Sequence, residues 1–311
     1  MHYYDSEDSE IVDYEIYSPW GEDIKWDLRG PKPKNLPEIV ISHTGEKEVK
    51  SKEKYITCIG SAHTFGRFCK KPFPSLLQEK LGVNVLNFGK GGAGPQNYRK
   101  QNRYTDNRLV KYISRSEFLI LQVMPGRSEN NSLFESNGDF GTLTNSGESM
   151  GTMEFWRQLI ADGDNKKIQE IVEETRANYV NSQIEFLKKL WTPVVLFWFS
   201  ERTPDYSMET NGKLDKLFGK FPQLVTREMV NEIRKHCEYY VECVTSRGMP
   251  QLLKNRFTGR PIEKDIEYVG SKCKKFNGYE INMYYPSPEM HEDATEKLLP
   301  VCNQILIGDK K

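Results

Sequence analysis

Two histidines and a serine stand where this chain passes from apolar to polar sequence. Ser61 and His63 lie in CIGSAHTFG (58–66), directly after the apolar run YITCI (55–59), and His291 lies in YYPSPEMHEDA (284–294). An imidazole beside a hydroxyl can take its proton and make the oxygen a nucleophile, or can deprotonate a substrate hydroxyl directly. Between Ser61 and His63 stands Ala62, whose methyl group can do neither. A third group follows another apolar run, in QVMPGRSENN (122–131). There Arg127 could grip a carboxylate, sulfate or phosphate through paired N–H donors, or could be spent on an ion pair with Glu129 or Glu201. The run NFGKGGAGP (87–95) brings four glycines together. They either permit a tight strand-to-helix turn or present N–H groups to an oxyanion or phosphate. No Lys-Ser/Thr follows them and no acidic ribose partner stands about twenty residues on, so neither nucleotide-loop signature is met. His63 is either a surface histidine or a working group at a strand exit.

Something must position these residues, and the apolar runs say what. YITCI (55–59), VNVLNF (83–88), EFLILQVM (117–124), PVVLFWFS (193–200) and YYVECV (239–244) are short, β-rich and without strict polar alternation. That is the pattern of strands buried on both faces of a parallel sheet. Helical patterns lie between them. FPSLLQEKLG (73–82) stops on a glycine, residues 166–191 carry one apolar stripe, and residues 226–237 open on a capping threonine. Ser287-Pro288 opens a C-terminal helix that Pro300 should kink or break. Five strand-helix alternations predict a three-layer α/β/α fold with a five-stranded, mainly parallel, doubly wound sheet.

Such sheets bind ligands beyond the carboxyl ends of their strands. The candidate ligand-binding residues are therefore Gly60, Asn87, Gly89, Gly92, Gln122, Arg127, Ser128 and Asn131, with Ser61, His63 and His291 as catalytic candidates. Ser61, His63, Gly92, Arg127 and His291 are expected to converge on one pocket for an anionic or hydroxyl-rich ligand. Residues 1–50 read as an irregular N-terminal wrap, and 51–311 as the α/β domain. Residues 129–165 read as a polar insertion or lid rather than core.

Lys plus Arg and Asp plus Glu balance at 44 each, so no net field recruits nucleic acid or an anionic membrane. No apolar stretch is long enough for a membrane span, and the N-terminus lacks a signal peptide's order. The six cysteines form no CxxC, which points to a reducing cytoplasm. Five histidines without HxH or HExxH spacing point to no metal, and no cofactor motif stands out. Oligomeric state is not written in the sequence.

Taken in chain order, the strand-end residues resemble the SGNH (GDSL-type) hydrolase superfamily, over about residues 55–307. That family carries G-D-S-x-x-x-G after the first strand, N-x-G-x-x-G after the second, G-x-N-D after the third and D-x-x-H before the last helix. Asn87, Gly89 and Gly92 match, as does a histidine at the last helix, His291. The nucleophile position falls on Ala62, its preceding aspartate on Ser61, and the triad acid on Pro288. The segments GSAHTFGRF, NFGKGGAGP and QVMPGRSENNS also resemble an uncharacterised bacterial family of unknown function. The resemblance implies an SGNH/flavodoxin-like fold and a group (acyl) transferase or hydrolase acting on a carbohydrate-like, hydroxylated or anionic substrate. His291 would be its base and Gly92 an oxyanion donor, while Arg127, read from its own chemistry, would be an anion clamp. The alternative is a catalytically inactive module that binds a glycan or nucleotide-sugar ligand. A weaker third reading is a structural partner in glycan (polysaccharide) assembly. Ordinary short-chain ester hydrolysis is expected to be absent or very slow.

Overall fold

The computed structural model describes residues 39–41, 47–49, 54–99, 108–209, 213–254, 261, 273–276 and 279–308. The expected wrap over 1–50 lies almost wholly outside the described residues. Its only described parts are the paired strands Ile39–Ile41 and Lys47–Val49.

All five sequence-predicted strands are present: β1 (Tyr55–Ile59), β2 (Asn84–Asn87), β3 (Leu119–Gln122), β4 (Val194–Ser200) and β5 (Tyr239–Val244). They form one sheet in the order β5-β4-β3-β1-β2. β1 pairs with β2, β3 with β4 and β4 with β5, all in parallel. This is the doubly wound order in which the chain works outward first to one side and then to the other. The missing polar alternation is explained by burial: every residue of β1, β3 and β4 is buried.

The chain divides into two units. The first is Met1–Gly91 with Thr245–Lys311, and the second is the continuous Gly92–Val244. In the first, α1 (Ala62–Phe65) is a single turn closed by Gly66 at φ 88°. Helix α2 (Phe73–Leu81) ends on Gly82 at φ 64°, the left-handed stop its sequence predicts. The C-terminal helix α6 (Pro288–Gly308) begins behind Ser287. The Ser287 hydroxyl accepts the Met290 N–H at 3.1 Å. Pro300 neither breaks nor ends α6. The lost backbone hydrogen bond is outweighed by the buried face of Ala294, Leu298, Cys302 and Ile305.

The second unit holds α3 (Thr152–Ala161), α4 (Asn165–Leu187) and α5 (Arg227–Arg234). Thr226 caps α5 as expected. The segment expected to be a polar lid folds differently. It forms a three-stranded antiparallel sheet (Phe134–Ser136, Phe140–Leu143, Ser149–Gly151) followed by α3. Phe134 and Trp156 are fully buried there. Phe134 stacks on Phe155 at 4.6 Å and Trp156 meets Phe218 edge-on at 5.5 Å. Much of the segment is therefore core, because its few aromatic residues supply the buried area that its polar majority hides in a composition count.

Candidate functional site

In the first unit the exit from β1 is shaped by side chains that bond to backbone. Ser61 is the N-cap of α1, its hydroxyl accepting the His63 N–H at 3.4 Å, and it is buried. Asn87 reaches across from β2: its amide donates to the carbonyls of Thr64 (3.0 Å) and Phe65 (3.4 Å), and its carbonyl accepts the Gly89 N–H at 2.9 Å. Gly60 accepts the Lys90 N–H at 3.0 Å. Gly89 follows from this closeness, since a Cβ there would lie 2.3 Å from the Phe65 nitrogen. Ala62 is buried in the same turn. His63 is buried edge-on against Tyr284 (5.9 Å) and Tyr285 (6.3 Å), so it is not a surface histidine. Arg67 lies 4.9 Å from the ring centroids of both Phe68 and Tyr285.

His291 is wholly buried in the first turn of α6, stacked on Phe73 at 6.1 Å. Its Nδ1 accepts the backbone N–H of Phe73 at 3.2 Å. The reason lies in α2. Its N-cap is Pro72, which has no side-chain acceptor for the orphan N–H groups of the first turn, and His291 supplies one from another helix. Burial holds the imidazole neutral, with its pKa lowered to about 3. Burial penalises the charged form of the ring, and that is the cause of the shift. A backbone N–H can only donate, so the Nδ1 lone pair is committed and the neutral ring carries its proton on Nε2.

In the second unit β3 runs out through Pro125 into a 3-10 turn, Gly126–Ser128. The backbone around that turn is fastened from several sides. Tyr179 donates to the Met124 carbonyl at 2.9 Å, Trp156 to the Arg127 carbonyl at 3.1 Å, and Gly126 N–H to the Gln223 carbonyl at 2.8 Å. Gly92 (φ 70°) and Gly94 pack against this part of the structure. A Cβ on Gly94 would lie 2.6 Å from the Ser128 Cβ, and one on Gly138 would lie 2.5 Å from the Gly92 carbonyl. The Arg127 side chain is 4% exposed, and its single protein partner among the described residues is Asp139, at 3.5 Å. Neither carboxylate anticipated for it is used. Glu129 takes Gln96 and the Asn130 N–H, and Glu201 takes Lys220. Asn131 is committed to its own turn, accepting from Leu133 and Phe134 and donating to Thr175. Gln122 is buried and donates to the Val123 carbonyl at 3.3 Å.

The five residues expected in one pocket come from both units. Ser61, His63 and His291 belong to the first unit, Gly92 and Arg127 to the second. Around Arg127 and Ser128 the second unit gathers Gly94 and Asp139, and Gly92 lies against Gly138, the neighbour of Asp139. Sequence reasoning missed Asp139, although SNGDFG (136–141) carries the Asn-Gly signal of a hairpin turn. It also missed the Phe73 N–H, for which no signal exists. Among the described residues no cluster of three or more His, Cys, Asp or Glu could hold a metal. No described helix is long and apolar enough to cross a membrane.

A family model described as Domain of unknown function (DUF6473) matches residues 43–137 and 152–306. The gap between its two parts, 138–151, falls inside the segment read as an insertion. No curated protein matches the sequence. Similar solved structures include SGNH and GDSL-type hydrolases and family-two carbohydrate esterases. One is a carbohydrate esterase family 2 enzyme with a carbohydrate-binding domain from Corynascus thermopiles (Myceliophthora fergusii). It is 12% identical, with 84% of this chain and 70% of that one covered and a TM-score of 0.39. A family-two carbohydrate esterase from Clostridium thermocellum, solved with cellohexaose, is 13% identical, with 85% and 68% covered and a TM-score of 0.39. A protein of Slackia heliotrinireducens assigned to the SGNH hydrolases is 12% identical, with 81% and 100% covered and a TM-score of 0.36. At these values the likeness bears on no residue's role.

Proposed function

Because the chain belongs to the family described as Domain of unknown function (DUF6473), whose description names no activity, we propose a function from the chemistry of its own residues. The protein is a ligand-binding module on a doubly wound frame, taking a hydroxylated or anionic small molecule or glycan without serine-esterase chemistry. The observation that carries this reading is the commitment of His291. A triad histidine needs a lone pair on Nε2 and a proton on Nδ1, held there by a carboxylate. Here Nδ1 faces a donor, so moving the proton onto it would set two N–H groups against each other. The ring would have to abandon the cap of α2 before it could act as a base. Ala62 at the nucleophile position and Pro288 at the acid position agree with this. The competing reading, a group transferase or hydrolase, has to draw its base from elsewhere, and the buried His63 is the imidazole available to it.

Turnover of p-nitrophenyl acetate by the wild type and by the double variant Ala62→Ser, Pro288→Asp tests the proposal. Both are expected to stay at the buffer rate, because the variant restores a nucleophile and an acid but not the tautomer. Esterase-level turnover by the wild type, lost in His63→Ala or His291→Ala, would overturn it. A thermal-shift screen against sugar nucleotides, acyl-CoAs and sulfated sugars then identifies the ligand, since a molecule that binds only the native state raises the melting temperature.

A further inference from the structure

We propose that Arg127 is the anchor of an oxyanion-binding site at the 3-10 turn after β3, taking the carboxylate, sulfate or phosphate group of a larger ligand. The inference deepens the binding-module reading on which it rests, by naming the chemical group recognised. Arg127 is 4% exposed, yet its guanidinium meets one carboxylate oxygen, through Nη2 at 3.5 Å, the outer limit of a hydrogen bond. That carboxylate, on Asp139, is itself 27% exposed and shared with solvent. Nε and Nη1 of Arg127 are buried without a hydrogen-bond partner among the described residues, and so is the hydroxyl of the next residue, Ser128.

Buried polar groups are nearly always paired, and a buried charge left without partners is costly. Three such atoms on two consecutive residues mark a place completed by something outside the chain. The turn has little freedom to relieve them itself, because Trp156, Tyr179 and Gln223 fasten its backbone. The unmet N–H groups belong to a guanidinium, which offers donors and no acceptor, so the missing partner is an acceptor bearing negative charge. Two other arginines show what a completed one looks like in this protein. Arg202 donates to the carbonyls of Thr203, Lys220, Pro222 and Val225, and Arg227 donates to both Asp205 and Glu242. Arg127 is built differently.

The test titrates the full chain with sodium sulfate, sodium phosphate or sodium acetate against sodium chloride at equal ionic strength, following the melting temperature. The three anions separate a tetrahedral from a planar head group. General salting effects of sulfate and phosphate occur in every variant and cancel in the difference from wild type. At least one oxyanion is expected to give saturable stabilisation of the wild type, with the half-saturating concentration raised about tenfold or more in Arg127→Gln. Arg127→Lys keeps the charge but loses the planar fork, and falls between them. Asp139→Asn, which frees Nη2, is expected to bind the anion more tightly than wild type. Absence of saturation with all three anions, or an equal response in wild type and Arg127→Gln, overturns the site. So does a melting temperature that collapses in both Arg127→Gln and Asp139→Asn without anion, because the pair is then structural. Ester turnover by the wild type would overturn the binding-module reading while leaving these titrations unchanged, so the two failures are distinguishable.

Discussion

Acidification should unfold this protein partly through one buried ring. His291 is completely buried, accepts a backbone N–H, and has a pKa of about 3 when folded against 6.5 for the free side chain. Between those values the unfolded chain binds a proton that the folded chain refuses, so stability falls as pH falls through 6.5 and is independent of this group above it. Each pH unit inside the window costs about 1.4 kcal/mol, so about 2–3 kcal/mol is lost between pH 6.5 and 4.5. His291→Leu removes the titration and also the cap of α2. It is expected to cost about 1–3 kcal/mol at pH 7.5 through the orphaned Phe73 N–H. The gap between variant and wild type should then narrow on acidification and close or reverse near pH 4.5. His291→Gln, which can still accept the N–H, should be milder at pH 7.5 and equally free of the acid window. Urea unfolding of the three proteins at pH 7.5, 6.0, 5.0 and 4.5 measures this. Parallel stability curves for wild type and His291→Leu would refute the reasoning, since the imidazole would then titrate alike in the folded and unfolded chains.

Other perturbations follow from the same structure. Gly89→Ala drives a methyl group into the Phe65 backbone and should lower stability by about 2 kcal/mol or more, read as a fall in melting temperature. Asn87→Ala removes the acceptor of Gly89 N–H and the donor to the Thr64 carbonyl, at a cost of about 1–3 kcal/mol in urea unfolding. Trp156→Phe keeps most of the buried ring but frees the Arg127 carbonyl. It should cost about 1–2 kcal/mol in urea unfolding and weaken oxyanion binding, measured as a higher half-saturating concentration in the thermal titration.

The frame was legible because burial on both faces erases polar alternation, which holds in full for β1, β3 and β4. Gly82, Thr226 and Ser287 were legible because caps act within a few residues of themselves. Pro300 does not break its helix, because the lost hydrogen bond is local while the compensating burial of Leu298 and Cys302 is tertiary. The 129–165 segment misled because polar residues outnumber the aromatics that pack there. At the site, the strand-end rule singled out Arg127, but its partner Asp139 lies past the next strand. His291 was legible as a histidine of consequence; its task was not. The motif that resembles a catalytic histidine is occupied by one that caps a helix 218 residues away in sequence, and nothing local distinguishes the two.

That separation also sets an order of events during synthesis. Helix α2 emerges among the first elements of its unit, with a proline where a capping side chain would stand, and its acceptor belongs to the last helix. At about 5–20 residues per second, translation of the intervening 218 residues takes about 10–45 s. By the end of that interval the continuous unit Gly92–Val244 has its whole sequence available, whereas the unit built from the chain's two ends still lacks its last residues. A chain halted before residue 291 would therefore carry α2 with its first turn unfinished, leaving Phe73, which the complete protein buries, open to proteases.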